Sequence, residues 1–192
     1  MNTIATVFAT AVLALGLGSA AQAATPAAAP AIKSAGIDHV GISVPNLKQA
    51  EEFFVTTFGC QPVTQIGPFP MKPHAESVTL AMVRCGTGAN IELFEYKQSA
   101  GSTAMPKMED IGASHIAFYT DDVQAGIAYL KSKGLKITGG PMTMTSGDTE
   151  GETWVHFESP WGSDMELVGY PNGKGYEKKS KLKLWNPKHP AN

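Results

Sequence analysis

Two histidines and two glutamates recur along this chain in a pattern that isolated residues of those types do not make. Ile37-Asp38-His39-Val40-Gly41-Ile42-Ser43-Val44 and Ala113-Ser114-His115-Ile116-Ala117-Phe118-Tyr119-Thr120 each carry a histidine at the third position of an alternating segment. Asn90-Ile91-Glu92-Leu93-Phe94 and Asp164-Met165-Glu166-Leu167-Val168 each set a glutamate between two apolar residues. The histidine-to-glutamate spacing is 53 residues in one copy and 51 in the other. A single strand histidine is ordinarily a hydrogen-bonded core residue, and a single strand glutamate is ordinarily exposed; the duplication makes the four a set. Together His39, Glu92, His115 and Glu166 offer an N2O2 donor set. That set suits one divalent transition metal ion (Zn, Ni, Mn, Co or Fe) and leaves positions for water or substrate.

Strand alternation supplies the positioning argument. His39 shares a face with Gly41 and Ser43, while Val40, Ile42 and Val44 face the other way. By the same rule His115, Ala117 and Tyr119 oppose Ile116 and Phe118, and each glutamate points away from its apolar neighbours. The apolar faces must cover amphipathic helices, which turns the four polar side chains toward the concave side. An unpaired carboxylate there is costly to desolvate, which favours a bound cation. Glu95 lies one face over from Glu92 and is expected to be solvent-exposed.

The helices follow the strands in both copies. Leu47, Ala50, Phe53, Phe54 and Phe58 form one apolar stripe, and Val123, Ile127, Ala128 and Leu130 the other. Asn46 with Gln49 and Asp121 with Gln124 fit N-terminal capping boxes, and Gly59 and Gly134 stand where left-handed C-terminal caps are wanted. Three strand-like segments follow each helix: about 61–65, 77–84 and 89–96, then about 135–138, 153–158 and 163–170. The Pro-rich stretch Pro68 to Pro73 reads as a loop. The unit is βαβββ, twice over. The expected class is α+β, with two modules (36–98 and 112–171) forming a cup-shaped mixed sheet and helices on the outside.

Other residues are weighed against plainer roles. His156, in Trp154-Val155-His156-Phe157-Glu158, could reach into the cup as a substrate contact, although a structural histidine beside Trp154 is the simpler reading. Tyr119 could line the pocket. His74 and His189 read as surface residues, and Trp161 as a packed turn residue. Cys60 and Cys85, the only cysteines, read as free buried thiols, since two cysteines alone do not establish a bridge.

Residues 1–30 carry no charged side chain, and an apolar run ends at Ala21-Gln22-Ala23. This pattern predicts a signal peptide over 1–23 and an Ala/Pro-rich linker over 24–35. The expectation is a periplasmic or secreted protein, without stable membrane insertion after processing. Residues 172–192 form a Lys-rich tail (Lys174, Lys178, Lys179, Lys181, Lys183, Lys188), read as solvated, with a strap anchored by Trp185 as the alternative. The formal net charge of -2 gives no sign of nucleic-acid binding.

The strand–helix run Asp38-His39-Val40-Gly41-Ile42 with Ala50-Glu51-Glu52-Phe53-Phe54, together with Ser114-His115-Ile116-Ala117-Phe118 and Met165-Glu166-Leu167-Val168, resembles the vicinal oxygen chelate superfamily. Glyoxalase I, methylmalonyl-CoA epimerase, extradiol dioxygenases and bleomycin-resistance proteins belong to it. The resemblance spans about Ile37 to Tyr170. It implies a cup of two βαβββ modules with the metal on its inner surface, and His39, Glu92, His115 and Glu166 occupy the ligand positions of glyoxalase I-like members. The implied activity is metal-dependent lyase or isomerase chemistry on a small substrate. Vicinal oxygens would be chelated and an enediolate-like intermediate stabilised, with Glu166, and Glu92 after it, moving the proton. The alternatives are an extradiol-type dioxygenase and a non-catalytic protein that sequesters a small ligand. Dioxygenases of the superfamily use two histidines and one glutamate, so the fourth ligand disfavours that branch. No phosphate-binding basic loop for coenzyme A stands out. A homodimer is possible, because the cup can close within one chain or between two.

Overall fold

The chain alternates strand and helix as its duplicated pattern requires. A computed structural model describes residues 36–188 and 190; the expected signal peptide and linker, and His189, lie outside them. The first module runs β1 (His39–Ser43), α1 (Leu47–Phe58), β2 (Gln61–Met71), β3 (Ala75–Arg84) and β4 (Asn90–Lys97). The second runs β5 (Ile116–Tyr119), α2 (Val123–Ser132), β6 (Ile137–Thr143), β7 (Thr153–Glu158) and β8 (Asp164–Gly169). A short helix, α3 (Gly175–Lys179), follows. Each module is one four-stranded mixed sheet, ordered β1-β4-β3-β2 and β5-β8-β7-β6. In each, the first strand pairs parallel with the last and the other pairs are antiparallel.

Local chemistry starts and stops the helices. The Asn46 carboxamide oxygen accepts from the Gln49 N–H at 2.8 Å, satisfying one of the donors a helix start leaves free. In the second module the cap is Asp122, accepting from the Ala125 N–H at 2.9 Å, rather than Asp121. The shift of one residue follows because Asp121 is taken by the Tyr119 hydroxyl. Gly59 and Gly134 both adopt left-handed φ, 67° and 77°, at the helix ends, as their positions predict.

Three further expectations need correction. The Pro68–Pro73 stretch is not all loop: β2 continues through it to Met71, as an edge strand whose register shifts absorb residues without an N–H. Strand β6 lies at Ile137–Thr143 rather than about 135–138. Ala128 is exposed, so the buried stripe of α2 is Val123, Ile127 and Leu130 alone.

One hydrophobic cluster joins the modules. Ala50, Phe53 and Phe54 of α1 and Val83 and Leu93 of the first sheet meet Ile127 and Leu130 of α2 and Val155, Phe157 and Leu167 of the second. Phe58 stacks on Phe118 with centroids 3.9 Å apart, and Trp161 packs edge-on against Phe53 at 5.4 Å, as a turn residue should. The modules therefore meet through their helix-covered sides.

Cys60 and Cys85 form a disulfide, which corrects the reading of free thiols. The pairing of Gln61 with Arg84 across β2 and β3 places the residues flanking that pair, Cys60 and Cys85, opposite each other, with Cα atoms 4.3 Å apart. The tail is also more than a solvated run. The Lys174 ammonium lies 4.1 Å over the Tyr170 ring and 4.8 Å over that of Tyr176, with Glu152 at 3.4 Å. Lys188 reaches Asp121 at 3.2 Å.

Candidate functional site

In the first module the parallel register sets Gly41 beside Glu92, so His39, two residues earlier on the same face, can reach that carboxylate. His39 Nε2 is 3.2 Å from Glu92 Oε2, and its Nδ1 is 2.8 Å from Asp38 Oδ1. The Asp38 hydrogen bond holds the His39 imidazolium above its ordinary range, and the Glu92 charge adds to this. Gly41 is a packing requirement: a Cβ there would stand 3.0 Å from the Phe94 ring. Phe94 in turn stacks on Tyr96 at 6.0 Å, and Met82 and Leu80 of β3 stand opposite Glu92 and Phe94.

The second module repeats the device. Ala117 is set beside Glu166, and His115 Nε2 lies 2.8 Å from Glu166 Oε2. Here, however, the residue opposite Glu166 is His156. Its Nδ1 is 2.9 Å from Asp164 Oδ2, and its ring centroid is 5.1 Å from that of His115 and 5.3 Å from that of Trp154. Tyr119 donates its hydroxyl to Asp121 at 2.5 Å and packs edge-on against Tyr170. Burial, and then that hydrogen bond, hold its proton well above the ordinary tyrosine range. The Tyr119 hydroxyl is therefore already committed.

Within one chain the structure brings the four proposed ligands together two by two. Among the described residues, no three His, Cys, Asp or Glu side chains gather as a metal site. The reason lies in the packing: the helix-covered sides of the sheets meet in the common core, and the two His–Glu pairs lie on the other face of each sheet. A cavity of about 420 Å³ separates Gly41 and Ser43 of the first module from His115 and Asp164 of the second, with Met105 and Met108 of the connecting segment in its wall. His115 alone of the four lines it.

The role of Asp164 escaped the sequence reading, and that of Glu95 was misread. Asp164 sits on the face of Glu166 by simple alternation, and that period of two could have flagged it. Glu95 is not exposed as expected: its side chain is 16% accessible and accepts the Leu47 N–H at 2.7 Å, at the start of α1. No local pattern announces that long-range cap.

Comparison with known proteins agrees with this fold. Residues 38–150 match the model of the Glyoxalase/Bleomycin resistance protein/Dioxygenase superfamily. The chain is 33% identical over 161 residues to a 2-epi-5-epi-valiolone epimerase from Actinomyces sp., covering 79% of this chain and 88% of the relative. Among solved structures it resembles a glyoxalase family protein from Bacillus cereus (TM-score 0.62, 17% identity, 74% of this chain and 98% of that one). It also resembles a glyoxalase family protein from Enterococcus faecalis (TM-score 0.55, 23% identity, 70% and 97%). These structural likenesses carry the fold, and the sequence matches carry the family. With its paired βαβββ modules and its repeated His–Glu pair, the chain belongs to the glyoxalase/bleomycin resistance/dioxygenase superfamily.

Proposed function

We propose that this protein is an exported, metal-dependent isomerase of the epimerase kind, inverting a carbon next to a carbonyl in a small hydroxylated substrate. The observation that carries the reading is the repeated pair: His39 with Glu92, and His115 with Glu166, at matching register in matching strands. In each pair an imidazole nitrogen and a carboxylate oxygen already lie together, the donor chemistry a divalent ion asks for. Because the pairs stand apart within a chain, the full N2O2 set is assigned to two copies, His39 and Glu92 from one and His115 and Glu166 from the other. When bound, the ion would act as a Lewis acid on the substrate carbonyl.

The proton chemistry belongs to the side chains. Glu166 takes the proton from the carbon beside the carbonyl. Inversion requires a proton on the opposite face, and Glu92 of the other half-site, protonated at the start, would supply it, the two carboxyl groups then exchanging protons with water to restore the starting state. Tyr119 contributes its ring rather than its hydroxyl, which Asp121 already engages. The epimerase relative makes 2-epi-5-epi-valiolone the first compound to try. The Cys60–Cys85 disulfide supports export to an oxidising compartment, in keeping with a signal peptide over 1–23.

Elemental analysis of the purified mature protein, wild type beside His115→Ala, tests the metal assignment. We expect about one divalent ion per chain in the wild type and a marked loss in the variant. Equal content in both would refute the assignment. Glu166→Gln should keep substantial metal and lose turnover; undiminished turnover would remove Glu166 from the proton transfer.

A further inference from the structure

The two His–Glu pairs are alike, but their neighbours are not. Across from Glu92 stands Met82, and across from Glu166 stands His156. Leu80 faces Phe94 in the first module, whereas Trp154 faces Val168 in the second. One half-site is therefore bordered by apolar side chains and the other by groups that form hydrogen bonds.

His156 is held in a defined state. The Asp164 carboxylate can only accept, so the 2.9 Å contact with Nδ1 places the proton on that nitrogen. In the neutral imidazole the other nitrogen, Nε2, is then an acceptor. Its side chain is 12% accessible, yet no described residue donates to Nε2. A histidine serving only the sheet would gain nothing from a carboxylate that fixes its tautomer while its second nitrogen goes unused. Position matters too, since the ring stands beside His115 at 5.1 Å, next to the proposed reaction centre.

We infer that His156, locked by Asp164, accepts a hydrogen bond from a substrate hydroxyl remote from the oxygens flanking the reacting carbon. It thereby selects a polyhydroxylated ring over a simple two-carbon carbonyl compound. The inference rests on the proposed site at Glu166. It adds a substrate class to that site, a small cyclic polyol ketone whose C–H face lies toward Met82 and Phe94 and whose hydroxyl face lies toward His156. A site that hydrogen-bonds a hydroxyl discriminates strongly against an analogue lacking it, because an acceptor covered by the bound ring is then left unpaired.

The test is calorimetric titration of full-length mature protein with 2-epi-5-epi-valiolone and each of its mono-deoxy analogues, with metal content measured on the same samples. His156→Leu should weaken binding of the parent compound about 10- to 100-fold. One deoxy analogue should bind the wild type and the variant equally. His156→Gln, which keeps an acceptor, should recover most of the affinity, and metal content should not change in either variant. Equal weakening across all analogues, undiminished parent binding in His156→Leu, or loss of metal from that variant would each overturn the inference. A wild type that holds metal but binds no compound of the panel would also overturn it, leaving the metal assignment standing. A wild type without metal would instead sink the earlier reading, and the analogue pattern would still be read on that protein.

Discussion

Glu95 and Gly169 hold the same place in the two closing strands, three residues after Glu92 and Glu166, and they solve the same problem differently. In the first module the Glu95 carboxylate reaches the Leu47 N–H at the start of α1, where a helix leaves donors free and favours negative charge. In the second, Asp122 caps α2, and the helix start lies so close that a Cβ on Gly169 would stand 2.6 Å from the Thr120 carbonyl oxygen. Both residues yield predictions. The Lys97 ammonium, and then the Leu47 N–H, hold the Glu95 carboxyl below its ordinary value of 4.5. A lowered folded value means that the stabilisation is complete above the unfolded value and fades as pH falls through the folded one. Glu95→Gln should therefore cost about 1 kcal/mol at pH 7, with the difference from wild type shrinking below pH 4.5. Denaturant melts at pH 7 and pH 3 check it; a gap that stays constant would refute the role. Gly169→Ala should cost about 1–3 kcal/mol by overpacking against backbone that cannot yield, while Gly41→Ala, which meets a ring edge at 3.0 Å, should cost less.

At the scale of elements, the period-two and period-3.6 patterns located each strand and helix of the two modules, though not the bounds of β2 and β6, because most elements bury one face and show it in their residue types. What stayed illegible involved partners far away in the sequence. The continuation of β2 through Pro68 and Pro70 needed its edge position, which only the sheet order reveals. The Cys60–Cys85 bridge needed the β2–β3 register: knowing that Gln61 faces Arg84 makes the pairing evident, whereas counting two cysteines does not. The four proposed ligands were readable as types and faces, while their grouping in pairs depends on how the modules pack. The bridge closes a loop with a sequence separation of 25, and in the loop-entropy account that stabilises by about 3 kcal/mol. Reduction should lower the melting temperature by roughly 10 °C for a domain of this size. Calorimetry with and without reductant reads this directly, and coincident melts would mean that the bridge adds nothing.

The whole molecule poses the question of where two half-sites become one. A single chain joins its modules through the helix-covered core, and β1, which opens with His39, and β5, which follows His115, end their sheets without a further partner strand among the described residues. A two-fold pairing of copies would set the first module of each chain against the second module of the other, giving two equivalent centres. This arrangement makes a prediction that closure within one chain does not. His39→Ala damages only the first-module half and His115→Ala only the second, so each variant alone should have no intact centre. Unfolded together in equal amounts and refolded, half of the dimers should carry one chain of each kind. Each such dimer has one centre with all four side chains and one with two. Metal content and turnover should therefore recover to about a quarter of wild type, although neither variant recovers when refolded alone. If each chain closed its own site, the mixture would remain as inactive as its parts, because no exchange of chains could repair a centre built within one of them.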